Sequence, residues 1–230
     1  MGGLALLLIS GLLGLGVWQV QRLAWKRALI SNVDRRIHSA PVSAPGPVSW
    51  PAITPQADEY RRVVASGTYR FDREVLVRAS TARGSGFWVM TPLETRRGFT
   101  ILVNRGFVPS GWHSGQGRQP ARVVGLLRIT EPGGGFLRAN DPVGGRWYSR
   151  DVTAIAGVRR LGRTAPYFID AAAAPNADTL PAGGMTVVSF PNNHLVYAIT
   201  WFALALMTVG GYALLLKEER RLRDTSGDAA

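Results

Sequence analysis

The chain has 230 residues, with 27 Lys and Arg against 15 Asp and Glu for a formal charge of +12, 46% hydrophobic residues and no cysteine. The length admits one or two domains, and the absence of Cys excludes a disulfide framework, a thiolate zinc or iron–sulfur site and a cysteine nucleophile. A basic excess of this size suits nucleic acid, an anionic bilayer or an acidic protein surface, so position along the chain has to decide among them.

From Leu4 to Val20 no side chain ionises. About 17 residues at ~1.5 Å each cover about 25 Å, near the lower limit for crossing a bilayer. The rival reading is a cleaved signal peptide, which should show a basic leader and a small-x-small cleavage site. Instead the run ends in Trp18-Gln19-Val20-Gln21-Arg22, an interfacial aromatic followed by charge, as a retained anchor does. Met1-Gly-Gly reads as a late start that omits a basic leader. With no helix breaker up to Asn32, the helix is expected to continue to about residue 32, with Trp25 near the headgroups. Residues 33–62 then read as a linker, because Pro41, Pro45, Pro47, Pro51 and Pro55 remove backbone donors and forbid a regular helix.

Strand signals follow. Val63 to Phe71 and Glu74 to Arg78 read as one hairpin; Phe87 to Leu93 and Phe99 to Arg105 read as a second, with Gly98 in the turn. Arg122 to Ile129 makes a fifth strand, Trp147 to Ser149 and Tyr167 to Asp170 are short candidates, and Asp151 is placed to N-cap a helix over Val152 to Arg160. A second uncharged run, Leu195 to Leu216, covers about 33 Å and stops at Lys217. Few soluble helices stay uncharged on every face for that length.

These signals predict a membrane protein of α+β class. Two transmembrane helices, 4–20 and 195–216, flank a β-rich, antiparallel, barrel-like extracytoplasmic domain over 63–190 with one or two short helices, and 217–230 form a tail. Lys217, Arg220, Arg221 and Arg223 after the second span put the C-terminus in the cytoplasm, and two spans return the N-terminus to the same side. The loop between the spans then carries the entire excess of positive charge, which points to membrane lipid or a protein partner, with no nucleic acid.

Gly84-Ser85-Gly86 and Gly133-Gly134-Gly135 lack the spacing and the strand–helix setting of a phosphate loop and read as turns. His38, His113 and His194 are far apart and form no metal-ligating motif, and four scattered methionines without Cys give no copper(I) site. His194 lies in Pro191-Asn192-Asn193-His194 at the mouth of the second span, where the proline can start a helix. Helical spacing puts His194, Ala198, Trp201 and Ala205 on one face, with Asn193, Tyr197 and Thr200 beside it. Such an imidazole can ligate a haem iron, or it can anchor the helix at the interface and hydrogen-bond a neighbour.

Five blocks resemble the surfeit-locus-one family, whose members assemble haem–copper cytochrome c oxidase. They are Trp18-Gln19-Val20-Gln21-Arg22 with Lys26; Gly67-Thr68-Tyr69 leading to Arg73-Glu74-Val75-Leu76-Val77; Thr91-Pro92-Leu93; Asn104-Arg105-Gly106 within Val103 to Pro109; and Asn192-Asn193-His194 continuing through Tyr197 to Trp201. Phe107 stands where family members usually carry Trp. The resemblance runs from about Gly16 to Ala205. It implies action on oxidase subunit I around haem a insertion, by binding and release rather than by catalysis. It implies His194 as a haem a ligand, the haem being held transiently, and Trp18, Gln19, Arg22, Lys26, Glu74, Arg105, Asn193, Tyr197 and Trp201 as partner or structural residues. It implies a bacterial plasma membrane or a mitochondrial inner membrane, with the central domain on the periplasmic or intermembrane side. Two alternatives stay open at this point: a stable accessory subunit of the mature oxidase or a respiratory supercomplex that touches no cofactor, and an ectodomain held to anionic lipid by charge.

Overall fold

The computed structural model describes residues 2–113, 115–135, 137–175, 179–188 and 190–227. In chain order it contains α1 (Gly2–His38), β1 (Val42–Ser43), α2 (Pro55–Asp58), β2 (Arg62–Arg70), β3 (Val75–Thr81), β4 (Gly84–Thr95), β5 (Thr100–Pro109), β6 (Arg118–Ile129), β7 (Gly134–Gly135), β8 (Arg138–Ala139), α3 (Val152–Arg159), β9 (Thr164–Ala171) and α4 (His194–Gly227). The contacts divide into two units: the two ends of the chain, and Val33–Val188.

The terminal unit is helical. α1 and α4 are each long and apolar enough to cross a membrane, and their leucines are exposed along most of their length. At ~1.5 Å per residue, the 37 residues of α1 span about 55 Å, well beyond a hydrocarbon core of about 30 Å. The uncharged run therefore covers part of one continuous helix that also carries Arg22, Lys26, Arg27, Arg35 and Arg36. α4 likewise continues past Leu216 through Lys217 and the charged residues after it. The helices are antiparallel neighbours: an added Cβ at Gly2 would meet the Tyr212 hydroxyl at 2.8 Å, and one at Gly16 would meet the Phe202 ring at 2.6 Å. Small residues at such crossings let two backbones approach closely.

The central unit is a seven-stranded mixed sheet in the order β1-β2-β6-β9-β5-β4-β3, and an additional β2–β4 pairing closes five of its strands into a ring. Two pairings are parallel, β1 with β2 and β5 with β9, so the all-antiparallel expectation is corrected to a mixed sheet. β9 enters between β5 and β6, with α3 immediately before it in the chain. Alternation along β5 and β9 explains their unbroken apolar runs. Val103 and Ile169 join the cluster that includes Val63, Leu93, Ile101 and Leu127, while Leu102 and Phe168 join Val75, Val77, Met90, Trp147 and the α3 residue Ile155. Both faces are buried, so neither strand shows a polar alternation.

The first expected hairpin does not form. β2 and β3 are joined by a 3₁₀ turn over Phe71–Arg73, and both pair with β4, β3 along its first half and β2 along its last residues. The hairpin in this region is β3–β4, turning at Ala82-Arg83. The β4–β5 hairpin matches expectation, with Gly98 at φ +78° in its turn. β4 leaves β3 after Met90 and meets β2 from Leu93, so Pro92 occupies the gap where that edge needs no donor. α3 is N-capped as expected, Ala154 N donating to the Asp151 carboxylate at 3.0 Å. The proline-rich stretch read as a linker forms part of the fold. α1 runs on to His38, Ala44 N donates to Val64 O at 2.9 Å, and Thr54 caps α2.

Candidate functional site

In the helical unit, Gln19 of α1 and His194 at the first position of α4 face each other. His194 Nδ1 donates to Gln19 Oε1 at 2.7 Å. The amide oxygen can only accept, so the proton lies on Nδ1, and in the neutral imidazole Nε2 then carries the lone pair. Gln19 is buried, as are Ala198 and Ala205 on the face expected from helical spacing. α4 begins at His194, not at Pro191; Asn193 supplies the carbonyl that accepts from Tyr197 N at 3.2 Å. Arg22 lies 4.1 Å from the Trp25 ring, and Lys26 lies 5.6 Å from the Phe190 ring. Both cations thus spread over aromatic faces in the manner of side chains that cross a polarity gradient. Trp18 and Tyr197 are exposed. Trp201 Nε1 and Asn192 Oδ1 are buried atoms with no hydrogen-bond partner among the described residues.

The sheet unit gathers two polar clusters from adjacent residues of one strand. Alternation sends Arg105 to the face of Val103 and Asn104 to the face of Leu102. Arg105 reaches Glu74 at 3.4 Å and lies over the rings of Phe71 at 5.0 Å and Tyr69 at 5.6 Å. The Glu74 carboxylate is 3% exposed and also accepts from Thr91 Oγ1. Glu74 and Arg105, singled out separately in the sequence, are therefore one unit, joined by the threonine of Thr91-Pro92-Leu93. Burial raises the Tyr69 hydroxyl to a pKa of about 12, against the opposing pull of Arg105.

On the other face Asn104 Nδ2 donates to Asp170 Oδ1 at 2.9 Å. The same carboxylate accepts from Arg128 at 2.9 Å, Arg150 at 3.1 Å and Thr186 at 2.9 Å. Arg150 also forks onto Glu131 with bonds of 2.9 and 2.5 Å, and Arg128 reaches Glu59 at 3.3 Å. Burial opposes the charge on Arg128, but Asp170 and the neighbouring acids outweigh it and hold its pKa above the ordinary value. Burial likewise pushes Glu131 up, and Arg150 outweighs this and holds it below the usual carboxylate range. A cleft of about 300 Å³ opens over this network, with Trp88 and Met185 in its walls. Sequence reading missed the cluster; its one local signal was the aspartate closing the apolar run Tyr167-Phe168-Ile169.

Gly106 sits between the two clusters at φ +135°, where the β4–β5 ladder shifts register opposite Trp88 to Met90. Any Cβ there would overlap the Ala182 carbonyl, and Phe107 exchanges both backbone hydrogen bonds with Ala182 at 2.9 and 2.8 Å. The glycine of Asn104-Arg105-Gly106 thus admits the returning chain while Asn104 and Arg105, which precede it, turn to opposite faces.

These blocks fall inside a match to the SURF1 family model that covers residues 6–206. The chain belongs to the SURF1 family. It is 35% identical to surfeit locus protein 1 of Rattus norvegicus, over 85% of this chain and 69% of the rat protein. It is 34% identical to the Homo sapiens protein of that name, over 85% of this chain and 70% of the human protein. Against the Takifugu rubripes protein the identity is 32%, over 88% of this chain and 91% of the relative. The SURF1 match includes Gln19, Glu74, Arg105 and His194, so both the helical pair and the Glu74–Arg105 unit belong to the shared region.

Proposed function

We propose that this protein is a membrane-anchored assembly factor for haem–copper cytochrome c oxidase that acts on subunit I around haem a insertion. The observation that carries this reading is the SURF1 family match across residues 6–206. Binding, orientation and release suffice for the role, so no catalytic residue is assigned. In this reading the sheet unit lies on the periplasmic or intermembrane side and both termini lie in the cytoplasm or matrix, in accord with the basic residues that follow the second apolar run.

Haem a is the implied cofactor, and His194 fits it as a single-nitrogen ligand. Its Nδ1 faces Gln19 Oε1, and in the neutral imidazole the Nε2 lone pair is the one that would ligate haem iron. Haem a would supply the redox centre to the oxidase; this chain's part is to hold it by one imidazole.

The test compares His194→Ala with His194→Gln in cells that make haem a. Both variants are expected to insert at the level of the parent, and both are expected to lower the haem content of purified oxidase, since glutamine retains hydrogen bonding but is a poor iron ligand. Full haem content in His194→Gln alone would make His194 a hydrogen-bonding residue and end the ligand reading. Orientation is tested separately with Ser110→Cys and Glu219→Cys in this thiol-free chain. An impermeant reagent should label the first in intact cells and leave the second unlabelled, and the converse would reverse the topology.

A further inference from the structure

Some arginines of the sheet unit are matched by carboxylates, and three that are not, among the described residues, line one groove. β2 gives one of its edges first to β1, at Val63 and Val64, and then to β4, at Gly67 to Tyr69. Ala65 and Ser66 fall between the two partners, and the groove of about 260 Å³ opens there. Its floor is apolar and belongs to the core, formed by Ala65, Phe99 and Ile101. Its rim is cationic: Arg96 and Arg97 come from the β4–β5 turn, and Arg122 comes from β6, directly opposite Ser66 in the β2–β6 register. Ser43 and Ser66 also belong to the lining.

No carboxylate lines the groove, and among the described residues none stands within ion-pair distance of Arg96, Arg97 or Arg122. Glu94, one residue before Thr95 in the lining, is already held by Arg70 and Arg118. Arg97 is fixed in place, donating from Nη1 to Ala44 O at 3.0 Å, lying 5.4 Å from the Phe99 ring and placing Nη2 where a Cβ at Gly46 would meet it at 2.3 Å, so it contributes its charge to the rim while Arg96 and Arg122 are the arginines offered to a ligand. Three guanidinium groups with no fixed counter-charge repel one another, and an oxyanion relieves that repulsion while accepting paired N–H donors.

We propose that this groove is a binding site for an organic anion, a phosphate or carboxylate group on a short apolar body. The arginine rim takes the charged group and the half-buried Val64 in the same lining takes the apolar part. The site lies in the sheet unit and uses neither His194 nor the Glu74–Arg105 unit.

The experiment titrates the full-length protein, in phosphatidylcholine nanodiscs at constant ionic strength, with phenylphosphate and with inorganic phosphate. Saturable binding is expected for both, tighter for phenylphosphate. Loss of one charge-assisted donor pair should weaken binding about tenfold in Arg122→Gln and in Arg96→Gln. Arg138→Gln, an exposed arginine over Tyr148 and outside the groove, should leave it unchanged. All three positions are at the surface, and equal melting temperatures would confirm that the variants fold. Replacing half of the lipid with phosphatidylglycerol separates the sources: competition with phenylphosphate identifies a lipid headgroup as the anion, and unchanged affinity identifies a soluble one. Absence of saturable binding, or equal weakening by Arg138→Gln, overturns the proposal.

Discussion

At Gly106 the backbone holds φ +135° beside the Ala182 carbonyl. Alanine there meets both a disfavoured conformation and a backbone overlap, each costing about 1–3 kcal/mol. Gly106→Ala should therefore lower stability by about 2–6 kcal/mol, read as a fall in melting temperature of the detergent-solubilised protein. A change within error would mean that the 179–184 chain can move aside. Arg105 poses a different question at the same scale. Its partner Glu74 is a buried carboxylate, and removing the cation from such a pair costs about 3–5 kcal/mol because the remaining charge stays buried. Lysine keeps the charge but loses the planar fork that lies over Phe71 and Tyr69. Arg105→Lys should thus cost less than Arg105→Leu, and Glu74→Gln should narrow the gap between them. Additive effects in that cycle would show that the two residues act independently.

Among the elements, β6 and β9 are joined by more than their ladder. Arg128 on β6 and Arg150 before α3 both bond Asp170 near the end of β9, and Arg150 also forks onto Glu131 just past β6. Glu131 has a folded pKa below its ordinary value. A depressed carboxylate contributes stability that is present above its unfolded pKa of 4.5 and is lost as pH falls through the folded value. The domain should accordingly lose stability below about pH 4.5. Glu131→Gln should flatten the acid limb of a melting-temperature profile while leaving its alkaline limb in place. An unaltered acid limb would assign that loss to other carboxylates.

For the whole molecule, α1 and α4 expose leucines along most of their length and are each long and apolar enough to cross a membrane. Burying them in hydrocarbon at ~25 cal/mol per Å² outweighs any screened attraction between the basic surface and anionic lipid. Membranes washed with high salt or with alkaline carbonate should retain the protein, and only detergent should extract it. Release by salt would favour attachment by charge.

Sequence alone determined what depends on residues close together in the chain. The two uncharged runs, the Asp151 cap of α3, the β4–β5 hairpin around Gly98 and the His194, Ala198, Ala205 face of α4 all follow from periodicity, capping or turn chemistry within a few residues. The ordered blocks from Trp18 to Trp201 also pointed to the family that the SURF1 match shows. Tertiary structure alone decided which distant residues meet. Val63 to Phe71 and Glu74 to Arg78 alternate as a hairpin should, yet β4 is long enough to serve both, so they become its neighbours along one edge. The parallel entry of β9, the meeting of Asn104 with Asp170, and the pairing of Gln19 with His194 join positions far apart in sequence. Local pattern encodes which face a side chain takes, whereas the partner on that face is chosen by the packing of the whole chain, which no short window contains.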